Sequence, residues 1–139
     1  MELLTKKEYW DNGNIESEMN YKNGQPHGLC REWYKKGQLE SERNFKDGKD
    51  HGLSRSWYEN GQLKEEYSHK EGEEHGLWRD WRKDGRLKEE HNYKEKKEHG
   101  FQRCWDKDGL LGLELYYWEN IEYYSEEDCK EVLLANRSW

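Results

Sequence analysis

The chain has 139 residues, of which 40% are charged and 31% hydrophobic, and its mean hydropathy is −1.58. This length suits one domain, which excludes two-domain enzymes, and no stretch approaches the roughly 18 consecutive apolar residues of a membrane-spanning helix. Eight Trp, ten Tyr and two Phe argue against disorder, because aromatic rings bury more area than other side chains. We therefore predict a thin core that depends on these rings, with part of the rings exposed.

The net charge of −7 is unevenly distributed. Residues 1–112 hold 24 acidic and 22 basic side chains, whereas residues 113–139 hold 7 acidic and 2 basic ones. An acidic chain is repelled by nucleic-acid phosphates and by anionic lipids. We therefore expect no direct nucleic-acid binding and no membrane binding, and we expect the partner to be a basic protein.

Residues 1–8 precede the repeated part of the chain and lack the basic and apolar regions of a secretory signal. Cys30, Cys104 and Cys129 are odd in number and have no C-x-x-C spacing, which argues against a disulfide framework and against a zinc ribbon. We expect free thiols and a cytoplasmic protein.

A 24-residue repeat organises residues 9–118, which we divide into five units. A His-Gly pair recurs at this interval, and so do single glycine, aliphatic, glutamate, arginine and aromatic positions. The histidines are His27, His51, His75 and His99; the aromatic column is Tyr9, Trp33, Trp57, Trp81 and Trp105; the charged columns are Glu18, Glu42, Glu66, Glu90 and Glu114, and Arg31, Arg55, Arg79 and Arg103.

Asn-Gly and Asp-Gly pairs punctuate the chain about every twelve residues, for example at Asn12-Gly13 and Asn23-Gly24. Such pairs supply the positive φ of tight hairpin turns, and glycine at this spacing breaks long helices. Five units then predict about ten short antiparallel strands in an elongated, single-layer, all-β ribbon, roughly 45 Å long at about 4.8 Å per strand. The pattern does not decide the strand register or which columns share a face.

The unit Asn-Gly-Gln-Leu-Lys-Glu-Glu-Tyr at 60–67, the turn Lys-Asp-Gly-Lys-Asp-His-Gly-Leu at 46–53 and Trp-Tyr-Glu-Asn-Gly at 57–61 resemble the variant MORN repeat of bacteria. The resemblance covers residues 9–118 and implies a β-hairpin repeat. Many proteins of this type are antitoxin components of toxin–antitoxin systems, so the resemblance also implies an antitoxin- or immunity-type inhibitor. His69 replaces an aromatic residue and Lys96 replaces a glycine of the pattern, so we expect the third and fourth hairpins to be the least regular.

Residues 119–139 depart from the repeat. Ser125 followed by three acidic residues is typical of a helix N-terminus, and the apolar residues after it recur at helical spacing. We predict a short capping helix over about 126–135 that closes the open end of the ribbon. Rings and acids are concentrated here, either as a packed cap or as a docking face for a basic partner. The partner-binding candidates are Tyr116, Tyr117, Trp118, Glu119, Glu122, Tyr123, Tyr124, Glu126, Glu127 and Asp128.

The repeated histidine and tryptophan columns are predicted to be structural. Equivalent residues of successive hairpins lie two strands apart, about 9.6 Å, whereas two ligands of one zinc ion lie at most about 4 Å apart. The histidine column therefore cannot share a metal ion. We expect these imidazoles to stack on rings or to bond loop backbone, with proton sensing or partner contact as the alternative, and we expect the tryptophans in the core.

The glutamate and arginine columns are predicted to form cross-strand ion pairs. A catalytic carboxylate pair is the alternative, but a general acid and a general base need unlike environments, and the five repeated settings are nearly identical. The sequence has no nucleophile elbow and no phosphate-binding loop. We expect no enzyme, no cofactor and no metal.

These observations predict a non-catalytic protein that sequesters a basic protein partner, with a toxin or effector as the partner that the resemblance implies. Two alternatives stay open: a structural scaffold or membrane-associated MORN module, and a viral or anti-defence inhibitor.

Overall fold

The computed structural model describes residues 2–117, and these form strands joined by turns. The predicted capping helix over 126–135 lies outside this range. Within residues 2–117, no helix has the length and apolar character needed to cross a membrane. The strands are β1 Leu3–Tyr9, β2 Ile15–Lys22, β3 Gln25–Pro26, β4 Gly28–Trp33, β5 Leu39–Lys46, β6 Lys49–Asp50, β7 Gly52–Trp57, β8 Leu63–Lys70, β9 Glu73–Glu74, β10 Gly76–Trp81, β11 Leu87–Lys94, β12 Lys97–Glu98, β13 Gly100–Trp105 and β14 Leu111–Tyr117.

Ten of these strands form one open antiparallel sheet in the order β1-β2-β4-β5-β7-β8-β10-β11-β13-β14. Each of the four two-residue strands, β3, β6, β9 and β12, pairs only with the strand before it. The prediction of an all-β, single-layer hairpin ribbon with about ten strands is therefore confirmed. The two-residue strands are the addition that the sequence pattern did not predict.

Two kinds of turn explain the 24-residue period. At Asn23-Gly24 both residues have positive φ, 50° and 78°, as a tight two-residue hairpin turn requires. The chain then pairs for two residues, and Gly28 at φ 79° redirects it into β4. Lys96 replaces the turn glycine in the fourth of these turns and still adopts φ 66°, so the hairpin is kept at the cost of local strain.

The second kind of turn is a five-residue loop that includes Gly13 in its first copy. Its backbone is closed by hydrogen bonds from the Trp10 N–H to the Asn14 carbonyl, 2.8 Å, and from the Gly13 N–H to the Trp10 carbonyl, 2.9 Å. The same two bonds recur in the four later loops. A bulge adjoins each loop: in the first copy the register shifts by one residue between Glu8 and Tyr9, which pair with Ser17 and Ile15 and leave Glu16 between them as the extra residue.

In the first four of these loops, the side chain of the first residue connects one unit to the next. Trp10 Nε1 donates to the carbonyl of Trp33 at 3.0 Å, and Tyr34 Oη donates to the carbonyl of Trp57 at 2.8 Å. Tyr58 continues this series, and Arg82 replaces the ring but still donates to the carbonyl of Trp105 at 2.9 Å. The column that loses its aromatic residue at Arg82 therefore keeps its hydrogen bond.

A sheet one layer thick has no second layer to bury its side chains. Cys30, at 4% exposed, is the only apolar residue that is fully buried in the described part of the chain. Tyr9 and Phe101 are exposed, at 59% and 40%, and the other rings whose side chains are described, including Trp33, Trp57, Trp81 and Trp105, are half-buried. The rings therefore pack within the sheet surface instead of in an enclosed core.

Candidate functional site

The strand register settles which columns share a face. Arg31 on β4 pairs with Glu42 on β5 within a hairpin. On its other side, Arg31 pairs with Glu18 on β2, which belongs to the preceding hairpin. The same pairing repeats, so the charged columns form one alternating row across the sheet. We call this row the ladder and its side of the sheet the ladder face. Its members are Lys7, Glu18, Arg31, Glu42, Arg55, Glu66, Arg79, Glu90, Arg103 and Glu114.

The ladder charges neutralise one another. Within hairpins, Arg31 Nε lies 2.9 Å from Glu42 Oε1 and Arg55 Nε lies 2.7 Å from Glu66 Oε2. Glu90, only 8% exposed, binds both Arg79 at 2.9 Å and Arg103 at 3.2 Å. The hydrogen bond that Arg103 donates to Glu114 raises the pKa of the Arg103 guanidinium, and Glu90 contributes in the same direction. Because each charge has a neighbour of opposite sign, the ladder is a structural element.

The opposite side of the sheet, which we call the ring face, carries a different pattern. In the middle of this face, Trp78 on β10 is directly opposite His91 on β11. On the other side of β10 lies β8, and the register that pairs Arg79 with Glu66 places Tyr67 of β8 opposite Trp78. The Trp78 and His91 rings meet edge to face with centroids 5.1 Å apart. We call Tyr67, Trp78 and His91 the ring row.

Three carboxylates lie beside the ring row on the same face. Asp80 on β10 is directly opposite Glu65 on β8 and Glu89 on β11. We call these three residues the acid row. Directly opposed like charges destabilise a sheet by about 0.2 to 1 kcal/mol per pair. Lys88 at the bulge provides one compensating charge: its Nζ lies 2.9 Å from Asp80 Oδ2 and 3.3 Å from Glu89 Oε1.

The environment of the acid row is partly desolvated. Asp80 is only 9% exposed, and the hydrogen bond that Lys88 donates to Asp80 raises the pKa of Lys88. Burial raises the pKa of the Tyr67 phenol beside Glu65. His91 lies between two carboxylates, with Nε2 3.5 Å from Glu89 and Nδ1 3.6 Å from Glu98. This region combines excess negative charge with half-buried aromatic rings, which suits a cationic ligand.

The histidine column lies at the turns on one edge of the sheet. The backbone N–H of each histidine donates to the carbonyl of a residue seven positions earlier, as from His27 to Asn20 at 2.8 Å. His27 Nδ1 also accepts from the Asp47 N–H at 3.3 Å, and His51 Nδ1 accepts from the Glu71 N–H at 3.5 Å. These two side-chain contacts join the first and second units to the turn of the unit that follows each of them. Within residues 2–117, no group of three or more His, Cys, Asp or Glu is arranged to hold a metal ion.

Most of the predicted partner-binding residues lie outside the described range, from Trp118 to Asp128. Tyr116 and Tyr117 belong to β14, where Tyr117 is half-buried and pairs with Gly100. The predicted docking role of the acidic segment therefore stays a prediction.

The two cysteines within the described residues, Cys30 and Cys104, are thiols.

Sequence reasoning missed the acid row. Glu65 and Glu89 occupy a repeat column that holds Ser17 and Ser41 in the first two units. This change from hydroxyl to carboxylate within one column is the sequence feature that could have indicated the acid row. Asp80 occupies the column of Glu32 and Ser56. The two columns become neighbours only through the strand register, which the sequence pattern left open.

A comparison with curated proteins finds no match to this chain. A protein-family model, the MORN repeat variant, matches residues 4–23, 26–47, 50–71 and 74–95. The matched segments cover more than half of the chain, and in the structure the same hairpin pattern continues to Tyr117. On the repeat columns, the hairpin fold and this match, the chain belongs to the MORN repeat variant family.

Proposed function

We propose that this chain is a non-catalytic protein-binding repeat protein, and more narrowly an antitoxin- or immunity-type inhibitor that sequesters a basic protein partner. The observation that carries the proposal is the asymmetry of the single-layer sheet. The ladder neutralises its own charge, whereas the ring face holds the acid row with one lysine against three carboxylates.

The family and the geometry support the coarser part of this proposal. MORN repeats are commonly protein-binding or membrane-binding modules, and they form a non-catalytic repeat fold. A broad, solvent-exposed sheet face suits a macromolecular partner more than a small substrate, because small-molecule sites are usually concave and enclose most of the ligand. The acidic residues at 119–128 would add to the attraction of a basic partner by steering its approach.

Affinity capture of the full chain from its native host, followed by mass spectrometry, tests the partner class. We expect one stoichiometric protein with a basic isoelectric point. When that protein is expressed alone it should arrest growth, and co-expression of this chain should restore growth. A captured partner that is acidic would contradict the electrostatic basis of the proposal, and a basic partner that is harmless when expressed alone would contradict the inhibitor role.

A second candidate function, association with an anionic membrane surface, is favoured by one observation. Lysines recur every 24 residues at the turn edge of the ladder face: Lys22, Lys46, Lys70 and Lys94. Lys22, Lys46 and Lys70 form no ion pair with any residue in the 2–117 range.

Sedimentation with vesicles of phosphatidylcholine and 30% phosphatidylserine distinguishes the two functions. We expect no binding at physiological salt, because the net charge of −7 opposes it. Binding that is lost in Lys46→Glu/Lys70→Glu, and kept in the control Lys35→Glu/Lys83→Glu in the loops at the other edge, would favour the membrane function instead.

A further inference from the structure

The acid row is unusual in a sheet whose ladder places opposite charges next to each other. In the first two units the equivalent row alternates hydroxyl and carboxylate: Glu32 lies between Ser17 and Ser41, and Ser41 Oγ donates to Glu32 Oε2 at 3.0 Å. In the middle of the sheet both serine positions are glutamate. The chain therefore keeps three adjacent carboxylates where its own repeat offers a less repulsive arrangement.

Each carboxylate of the acid row has a ring two residues away on the same strand and face. Glu65 neighbours Tyr67, Asp80 neighbours Trp78, and Glu89 neighbours His91. Same-face neighbours along a strand lie about 6.6 Å apart, so a side chain lying over the Trp78 ring reaches the carboxylates beside it. Ring and carboxylate together bind a guanidinium well, because it is planar, stacks on rings and donates to carboxylates through a rigid fork.

The molecule itself uses this combination twice. The Arg43 guanidinium lies 4.9 Å from the centroid of the Phe45 ring and forms a two-point contact with Asp50 at 2.9 Å. The Arg103 guanidinium lies 4.6 Å from the centroid of the Phe101 ring.

Arg103 also binds two carboxylates, Glu114 at 2.6 Å and Glu90 at 3.2 Å. At Trp78 the ring and the carboxylates are present, but no described arginine lies over the ring. Lys88 contacts the acid row from the bulge, and His91 Nε2 lies 3.5 Å from Glu89.

An unpaired acceptor adjoins the same site. Gln102 is 5% exposed, and the register that pairs Glu90 with Arg103 places it beside His91 on the ring face. Its Nε2 donates to the Asn92 carbonyl at 3.1 Å, but its Oε1 accepts no hydrogen bond. A buried acceptor without a donor is costly, so the edge of the ring row carries an acceptor that lacks an N–H group.

We infer that the acid row and the ring row form a docking site for an arginine side chain of a basic protein partner, with the guanidinium stacked on Trp78 and bonded to the carboxylates of Glu65 and Glu89. This inference deepens the proposed function and rests on it for the identity of the partner as a protein.

Fluorescence anisotropy with labelled hexa-arginine and hexa-lysine peptides tests the site on the full chain. We expect hexa-arginine to bind at least about fivefold more tightly than hexa-lysine, since an ammonium group offers neither the fork nor the planar stacking surface. Glu65→Gln/Glu89→Gln should weaken hexa-arginine binding about tenfold or more, because charge-assisted hydrogen bonds are lost. The control Glu16→Gln/Glu59→Gln removes the same charge elsewhere and should change binding less than twofold.

Stability separates a binding site from a structural cluster. Glu65→Gln/Glu89→Gln relieves the like-charge contacts with Asp80, so we expect its melting temperature to rise while its binding falls. Trp78→Leu should also lose the preference for arginine over lysine. Equal binding of both peptides, or equal weakening by the control variant, would overturn the inference and leave general electrostatic attraction.

The two proposals fail in different ways. If the native partner binds and Glu65→Gln/Glu89→Gln does not weaken that complex, the arginine site is wrong while the binding function stands. If the peptides behave as expected but affinity capture yields an acidic partner, the site stands as a guanidinium site and the proposed function is wrong.

Discussion

The two faces of this sheet are built from the same 24-residue repeat and use charge in opposite ways. On the ladder face, Glu90 lies between Arg79 and Arg103, and every ladder member has neighbours of opposite sign. On the ring face, Asp80 lies between Glu65 and Glu89. The ladder repeats through all five units, whereas the acid row is confined to the middle of the sheet.

This difference shows how a repeat protein separates folding from recognition. A ribbon one layer thick buries little apolar surface, and Cys30 is the only fully buried apolar residue between residues 2 and 117. Cross-strand ion pairs and inter-unit hydrogen bonds therefore contribute a larger share of the contacts between units than in a globular domain. The ladder supplies these contacts in every unit, which leaves the ring face available for substitutions that serve binding.

Reversing a ladder charge should have the largest effect on stability. Glu90→Lys would place a cation between Arg79 and Arg103, and we expect a loss of about 2 to 3 kcal/mol. This is less than the 3–5 kcal/mol of a fully buried pair, because the two arginine side chains are 36% and 32% exposed. Urea unfolding followed by circular dichroism measures the loss, and hydrogen exchange should show the amides of β10–β13 losing protection first.

The control for this variant is Glu59→Lys, which makes the same charge change in a loop. The Glu59 side chain is 62% exposed, and its ion pair with Lys36 is long, at 3.8 Å. We expect its stability to change by less than about 0.5 kcal/mol. Equal losses in the two variants would mean that net charge, and not the ladder, determines stability.

Much of the ladder face follows from the sequence alone. Asn-Gly and Asp-Gly pairs locate the turns, the turns define the hairpins, and the repeat pattern therefore predicts that the arginine and glutamate columns lie in the two strands of each hairpin. The register is what the pattern could not supply, because a shift by one residue exchanges the faces. Glu65 and Asp80 are 15 residues apart in sequence, and only the observed register makes them neighbours.

The smallest expected effect concerns the row that contains Glu32. Ser41 occupies the same repeat position as Glu89 and lies directly opposite Glu32. Ser41→Glu would therefore place a second carboxylate in this N-terminal row, as Glu89 does in the acid row. We expect a loss of about 0.5 kcal/mol relative to Ser41→Gln, since both variants lose the hydroxyl donor to Glu32 and only one adds a like charge. The difference between their urea midpoints measures the repulsion that the acid row tolerates. If the two midpoints coincide at low salt, opposed carboxylates on this face carry no cost, and no binding role is needed to explain why the chain keeps the acid row.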